Sequence, residues 1–204
     1  MSANPRRALL VIDVQNEYFT GNLPITYPPA EDSLRNIGLA MEAARESGIP
    51  VVRVLQHSPS GAPLFAADSE GRQPHPALAG HPVDHTVHKT RASAFMGTDL
   101  ADWLAARDID TVTVVGYMTH NCDAATIFDA RHWELGAEFL SDASGSLAYR
   151  NAAGEANGEE IHRVFCTVFH SNFAAVATTA QWIEAIRAGQ PLEKDNIFLS
   201  SRGR

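Results

Sequence analysis

The chain has 204 residues, 45% of them hydrophobic and 20% charged, an ordinary balance for a soluble globular protein and enough length for one domain with a sizeable core. A formal net charge of -8, with no Lys/Arg cluster beyond Arg6-Arg7, argues against a nucleic-acid surface, and no apolar run approaches the roughly 20 residues of a membrane span. Two cysteines are too few for a disulfide framework, and residues 1–7 lead into the first apolar run without a signal-peptide pattern, so a reducing cytoplasm is the expected setting.

In chain order, residues 7–13 form an apolar run ending in Asp13, which predicts a strand buried on both faces. A helix over 30–47 follows, with Leu34, Ile37, Met41 and Ala44 on one face and Gly48 as its stop. A strand is expected over 49–55. The Gly-, Pro- and Ser-rich stretch from His57 to Pro82 reads as a long loop, suited to a lid or pocket wall. Then come a short strand over 86–89, a helix over 98–106, a β-branched strand over 111–117 and a helix-like run over 123–134. A strand over 137–141, a helix over 157–168, a strand over 173–177 and a helix over 179–188 complete the core. The tail, 189–204, carries no functional signal. This alternation predicts an α/β fold: a single three-layer α/β/α Rossmann-like domain, core about 7–182, around a mainly parallel six-stranded sheet.

In such a sheet, ligands bind beyond the carboxyl ends of the strands where the strand order reverses. Asp13 and Cys122 both fall at or just past such an end. The run Gly116-Tyr117-Met118-Thr119-His120-Asn121-Cys122 reads as strand, glycine turn and helix start. A cysteine in the first turn of a helix meets free N–H groups and partial positive charge, which favour the nucleophilic thiolate. Cys166 lies in a mostly apolar helical run and is assigned to the core. Asp13 alone could be a turn cap, and Lys89 alone a solvated surface residue. Set beside a thiol, the carboxylate can carry its proton, while the ammonium holds the carboxylate in place. If Cys122 attacks a carbonyl, the backbone N–H groups of Met118 and Cys122 are the candidates for an oxyanion hole.

Three segments together resemble the isochorismatase-like cysteine hydrolase superfamily: Asp13-Val14-Gln15-Asn16-Glu17-Tyr18-Phe19; Lys89 with Ser93-Ala94-Phe95; and Gly116-x-x-Thr119-x-x-Cys122 with Thr126 one turn on. Arg163 to Trp182 is similar to the family's last helix, strand and helix, so the likeness spans about 7 to 182. The resemblance implies an Asp13–Lys89–Cys122 triad, a cis Tyr117–Met118 peptide, and a dimer or tetramer. The nicotinamidase branch carries Asp-x-His after the second strand and binds a divalent ion; here the run is Leu55-Gln56-His57, so neither metal nor other cofactor is expected, despite nine histidines. His85 and His88 point to opposite faces of an extended run, and His75 and His81 lie in loop sequence. Isochorismatases proper lack the cysteine, so Cys122 points to a C–N bond of a small amide, ureide or lactam. The wording around Gly61 to Pro76 and Tyr117 to Asn121 is most similar to the streptothricin-hydrolase-like branch. Phe19, His57, Phe65, Phe95, Tyr117 and His120 flank the motifs as candidate substrate contacts. The rival reading is a non-catalytic small-molecule-binding or scaffold protein that keeps the fold.

Overall fold

The computed structural model describes residues 4–202; residues 1–3 and the last two residues of the tail lie outside the described residues. Strands form at β1 (Arg7–Ile12), β2 (Val51–Gln56), β3 (His85–Lys89), β4 (Thr111–Tyr117), β5 (Gly136–Gly145), β6 (Tyr149–Asn151), β7 (Gly154–Ala156) and β8 (Ala175–Ala177). The helices are α1 (Ala30–Glu46), α2 (Leu100–Ala105), α3 (Ala124–Ala130), α4 (Gly158–Val168), α5 (Thr179–Arg187) and α6 (Ile197–Arg202). One six-stranded sheet runs in the order β3-β2-β1-β4-β5-β8, and every neighbouring pair in it is parallel.

Alternate residues of each strand feed two cores, which makes three layers. Ala8, Leu10 and Ile12 face one side with Leu100, Leu104, Ile127 and Phe169. Leu9 and Val11 face the other, with Ile37, Met41, Trp182 and Ile186. Because both faces are covered, the strands read as continuous apolar runs. The chain winds outward from β1 to β3, returns to β4 beside β1, and winds outward on the other side. The strand order therefore reverses between β1 and β4, and the crevice beyond their carboxyl ends is the expected ligand site.

Several boundaries depart from the sequence reading. β5 continues to Gly145, past the apolar signal that stops at Leu140; after a register shift its polar end pairs with Gly116 and Tyr117. Asp142, within that extension, accepts the Thr179 N–H at 2.7 Å and so fixes the start of α5. The β6–β7 hairpin and α6 were both unexpected, being too short and too polar or too isolated for periodicity to reveal. The loop from 57 to 82 contains two short 3₁₀ turns, Glu70–Arg72 and Pro76–Leu78, and isolated bridges that pair Ser58 with Ala66 and Pro74 with Gln15.

At the opposite rim, Arg7 and Glu138 form a buried ion pair at 2.8 Å. Glu138 also accepts from Thr113 Oγ1 at 2.7 Å and from Trp182 Nε1 at 3.0 Å, joining β1, β4, β5 and α5. A buried pair stabilises little overall, but removing one partner strands the other charge. Glu138→Gln should lower unfolding free energy by about 3–5 kcal/mol, read from urea denaturation. A change within error would show that Arg7 finds another partner.

Candidate active site

Three strand ends deliver the site. Asp13 follows β1 with a left-handed backbone (φ 51°), which aspartate tolerates better than most residues. Its N–H donates to the Val54 carbonyl at 2.9 Å, so β2 holds the turn. Lys89 is the last residue of β3. Cys122 lies beyond β4, in a wide π-type turn (Thr119–Asp123) where the Asp123 N–H donates to the Met118 carbonyl at 3.2 Å; α3 continues from it. Gly116 lets the strands meet there: it has φ 117°, and a Cβ would fall 2.0 Å from the Ile12 carbonyl oxygen. The Tyr117–Met118 peptide is cis, as the resemblance implies.

Lys89 joins the three. Its Nζ lies 2.7 Å from Asp13 Oδ2 and donates to Cys122 Sγ at 3.2 Å, to Gln56 Oε1 at 2.7 Å and to the Arg91 carbonyl at 3.2 Å. Asp13, Lys89 and Cys122 are all buried. Thr126 Oγ1 donates to the Cys122 carbonyl at 2.8 Å and accepts the Ala94 N–H at 3.0 Å, tying the cysteine turn to the loop after Lys89.

Burial governs the protonation states. It raises Asp13 above the usual carboxylate range, with Lys89 pulling the other way. Burial opposes charge on Lys89, yet Asp13 and Cys122 more than offset it, and Lys89 holds its proton more tightly than usual. Cys122 corrects the expectation of a standing thiolate. Burial pushes the thiol up, Asp13 adds to the effect, and Lys89 offsets only part of it. Asp123, the next residue, is fully buried, and neither carboxyl oxygen has a hydrogen-bond partner among the described residues. Burial and the nearby Asp13 push it well up, so it stands as a neutral acid.

A cavity of about 290 Å³ opens onto Cys122. Tyr18, Leu23, Phe65, Met118 and Tyr149 supply apolar wall; Gln56, Asn121 and Arg91 supply polar groups. The segment after Asp13 holds the wall from outside. Gln15 Nε2 donates to the carbonyls of Gln56 and Arg72, at 3.0 and 2.7 Å. The buried Glu17 carboxylate accepts the N–H groups of Asn22 and Phe65, at 2.7 and 3.2 Å. It passes between Gly21 and Gly71, where a Cβ would lie 2.8 and 2.2 Å from its oxygens. Phe65 itself has φ 54°, a strained value for a bulky residue, and these bonds hold it there.

Of the six candidate substrate contacts, Phe65 lines this cavity. Phe19 turns away to pack against His75, ring centroids 4.2 Å apart and tilted by 45°, because the 3₁₀ turn Asn16–Tyr18 points Tyr18 inward instead. The His57 ring pairs with His88. Phe95 packs beside Trp133 under α3, and Tyr117 stands behind Tyr18 with its hydroxyl 2.8 Å from Ser33 Oγ. His120 packs away from the cavity, with Nδ1 3.1 Å from Ser146 Oγ, its ring against Tyr149 and Phe165, and Nε2 buried without a hydrogen-bond partner among the described residues. Cys166 is only half-buried at the core's edge; burial nonetheless raises its thiol to about 12. Tyr18, Asn121 and Tyr149 were missed. A legible signal existed for Tyr149: the Asn151-Ala152-Ala153-Gly154 turn marks a hairpin. No three His, Cys, Asp or Glu side chains among the described residues are placed to hold a metal ion, and Leu55 is buried.

A family profile described as the isochorismatase domain matches residues 7–181. Among solved structures, the chain is similar to a protein of Burkholderia xenovorans LB400 provisionally described as an isochorismatase: 58% identity, TM-score 0.96, covering 98% of this chain and 96% of that one. It is 28% identical to the uncharacterized isochorismatase family protein YddQ of Bacillus subtilis (strain 168), over 87% of this chain and 98% of that protein. It is 30% identical to an N-carbamoylsarcosine amidase of Arthrobacter sp, over 61% of this chain and 54% of that enzyme.

Behind the site, Thr119 Oγ1 lies 2.8 Å from His162 Nδ1. Burial lowers both His120 and His162 from 6.5 to about 4. Between these values the unfolded chain binds protons that the folded chain refuses, so stability from these two groups is present above pH 6.5 and falls as pH drops toward 4. Asp13 and Asp123, raised in the fold, act in the opposite sense. The readout is therefore a difference: His162→Gln should lose less stability than wild type between about pH 7 and about pH 5, by urea midpoint. Equal losses would mean His162 is protonated in the fold.

Proposed function

Because the chain belongs to the isochorismatase family, we propose that it is a metal-independent cysteine hydrolase that cleaves the C–N bond of a small amide, ureide or lactam through a thioester. The observation that carries this reading is the Lys89 ammonium in contact with both Asp13 and Cys122 beneath a cavity that Cys122 itself lines.

The raised thiol gives the reaction its order. Cys122 waits as a thiol, and Asp13, raised by burial, is a better base than an exposed carboxylate. As Sγ bonds to the carbonyl carbon, Asp13 takes the thiol proton. The carbonyl oxygen becomes an oxyanion facing the N–H groups of Met118 and Cys122; among the described residues the Met118 N–H donates to no acceptor. The C–N bond then breaks as Asp13 passes its proton to nitrogen, and ammonia or an amine leaves. Water enters, Asp13 takes one of its protons, and the remaining hydroxide bonds to the thioester carbon. The C–S bond breaks, the sulfur regains its proton from Asp13, and an acid departs. Lys89 stays charged throughout, balancing Asp13 and the transient thiolate.

Metal independence rests on the donor set. Leu55 cannot ligate, and His57 is engaged with His88. The cavity suits a small molecule, at the lower end of ligand-site volumes.

Turnover is best sought as ammonia or amine release from a panel of amides, ureides and lactams. Cys122→Ala should abolish it and Cys166→Ala should leave most of it; a slow substrate should leave a mass adduct on the Cys122 peptide. An active Cys122→Ala enzyme would remove the nucleophile. Activity should also survive chelation, and a required stoichiometric divalent ion would refute that part of the reading.

Asp13→Asn should lower the rate about 100-fold or more, since an amide cannot carry the proton. It should also destabilise the fold, because Lys89 loses its buried counter-ion. A near-normal rate in folded Asp13→Asn protein would reduce Asp13 to a structural role.

A further inference from the structure

The cavity in front of Cys122 has fixed walls on most sides. Tyr18 is clamped between Phe65 and Tyr117, with ring centroids 5.4 Å away on either side. Glu17 holds the Phe65 N–H at 3.2 Å, so that wall belongs to the wired loop. The segment after β3 is tied down by Lys89, which donates to the Arg91 carbonyl at 3.2 Å, and by the Ala94 N–H on Thr126. Met118, Asn121 and Cys122 come from the turn after β4, which the N–H groups of Asn121 and Asp123 close on the Met118 carbonyl.

The remaining wall is Tyr149, and it is carried differently. It stands on the β6–β7 hairpin, whose strands among the described residues pair with each other and not with the six-stranded sheet. The exposed Arg150–Glu155 ion pair, at 2.6 Å, also lies within the hairpin. Edge-to-face packing on His120, ring centroids 4.8 Å apart at 87°, aims the Tyr149 ring. The two ends of the hairpin are firmly placed. The Ser146 N–H donates to the Tyr27 carbonyl at 2.7 Å, and Asn157 accepts the Glu160 N–H at 2.9 Å to cap α4.

Behind the hairpin lies a groove of about 540 Å³, lined by Arg150, Glu155, Asn157, Glu160 and Tyr149 itself. Tyr149 therefore borders both this groove and the cavity of about 290 Å³ in front of the thiol. It is 41% exposed, in keeping with space on both sides. Burial and the nearby Cys122 raise its phenol, which agrees with a ring beside the sulfur. A stiff aromatic side chain at such a boundary filters by size, because a misfit of one methylene in a shaped site can change rates about tenfold or more.

We infer that Tyr149 is a specificity-determining residue: its ring is the partition between cavity and groove, and it limits what reaches Cys122 to groups that fit the cavity alone. The inference rests on the proposed function only in taking Cys122 as the group to be reached.

The test reads access to the thiol without turnover. All proteins carry Cys166→Ala, so that Cys122 is the one thiol of the chain. Two reagents are compared at the same pH: methyl methanethiosulfonate and its benzophenone-4-carboxamidoethyl analogue, whose aryl group needs the groove as well as the cavity. Labelling is followed by intact mass, and each rate is divided by that of glutathione with the same reagent. The raised thiol slows both reagents alike, so their ratio carries the result. With Tyr149 present, the bulky reagent should be at least about tenfold slower than the methyl reagent. Tyr149→Ala, which joins the two spaces, should bring the ratio within about threefold, and Tyr149→Phe, which keeps the ring, should leave it unchanged. Far-UV circular dichroism and the urea midpoint check the fold, and Tyr149→Leu, with intermediate bulk, should give an intermediate ratio. Equal corrected rates with Tyr149 present, an unchanged ratio in folded Tyr149→Ala or Tyr149→Leu, a ratio lost in Tyr149→Phe, or no labelling by the methyl reagent would each overturn the inference. Amide turnover by the wild-type protein is assayed separately. Size-selective labelling without turnover would count against the hydrolase reading and leave the partition standing.

Discussion

The ammonium of Lys89, buried against the carboxylate of Asp13, is the interaction on which the rest of the site depends. Neither group is tolerable alone in that place, and each makes the other possible. The pair closes the gap between the ends of β1 and β3, with β2 between them contributing Gln56 to the same ammonium. Cys122 completes the set from the far side of the strand reversal. A charge pair costs less than two separate buried charges, yet its desolvation still shows in Asp13, whose proton affinity rises despite the cation beside it. That compromise gives the proposed chemistry a base strong enough for a buried thiol.

The same burial changes how the cysteine works. A helix start and a nearby lysine would favour thiolate at an exposed position. At Cys122 the loss of water outweighs both, so the sulfur rests protonated. In the proposed reaction, proton transfer to Asp13 therefore accompanies attack rather than preceding it. A site of this kind would be quiet toward passing electrophiles and active only when a carbonyl is correctly seated. Asp123 fits the same environment: one residue along, with no cation of its own, it is kept neutral.

The pocket wall is secondary structure's least regular part, but it is tightly held. Gln15 and Glu17 reach from the segment after β1 into the loop from 57 to 82 and satisfy its backbone. The glycines at 21 and 71 exist in that arrangement because the Glu17 carboxylate fills the space a Cβ would take. The wall is therefore wired to the strand that delivers Asp13, and the ring of Tyr18 is part of the same segment.

By itself the sequence determined the layering, the parallel sheet and the rim on which chemistry gathers. Those follow from local pattern: apolar strands buried on both faces, amphipathic helices between them, and acid or cysteine placed where strands end. It also singled out Asp13, Lys89 and Cys122, which the fold brings within contact of one ammonium. What only the tertiary structure decided is which flanking side chains face the cavity and what charge the thiol carries. Phe19 and Tyr18 are adjacent and chemically alike in sequence; a single 3₁₀ turn sends one to His75 and the other to the cavity. The hairpin that supplies Tyr149 is three residues a side, too short to leave a periodicity. Proton affinity was beyond the sequence for a deeper reason: it depends on how much water the whole fold removes from around a group, which no local spacing encodes.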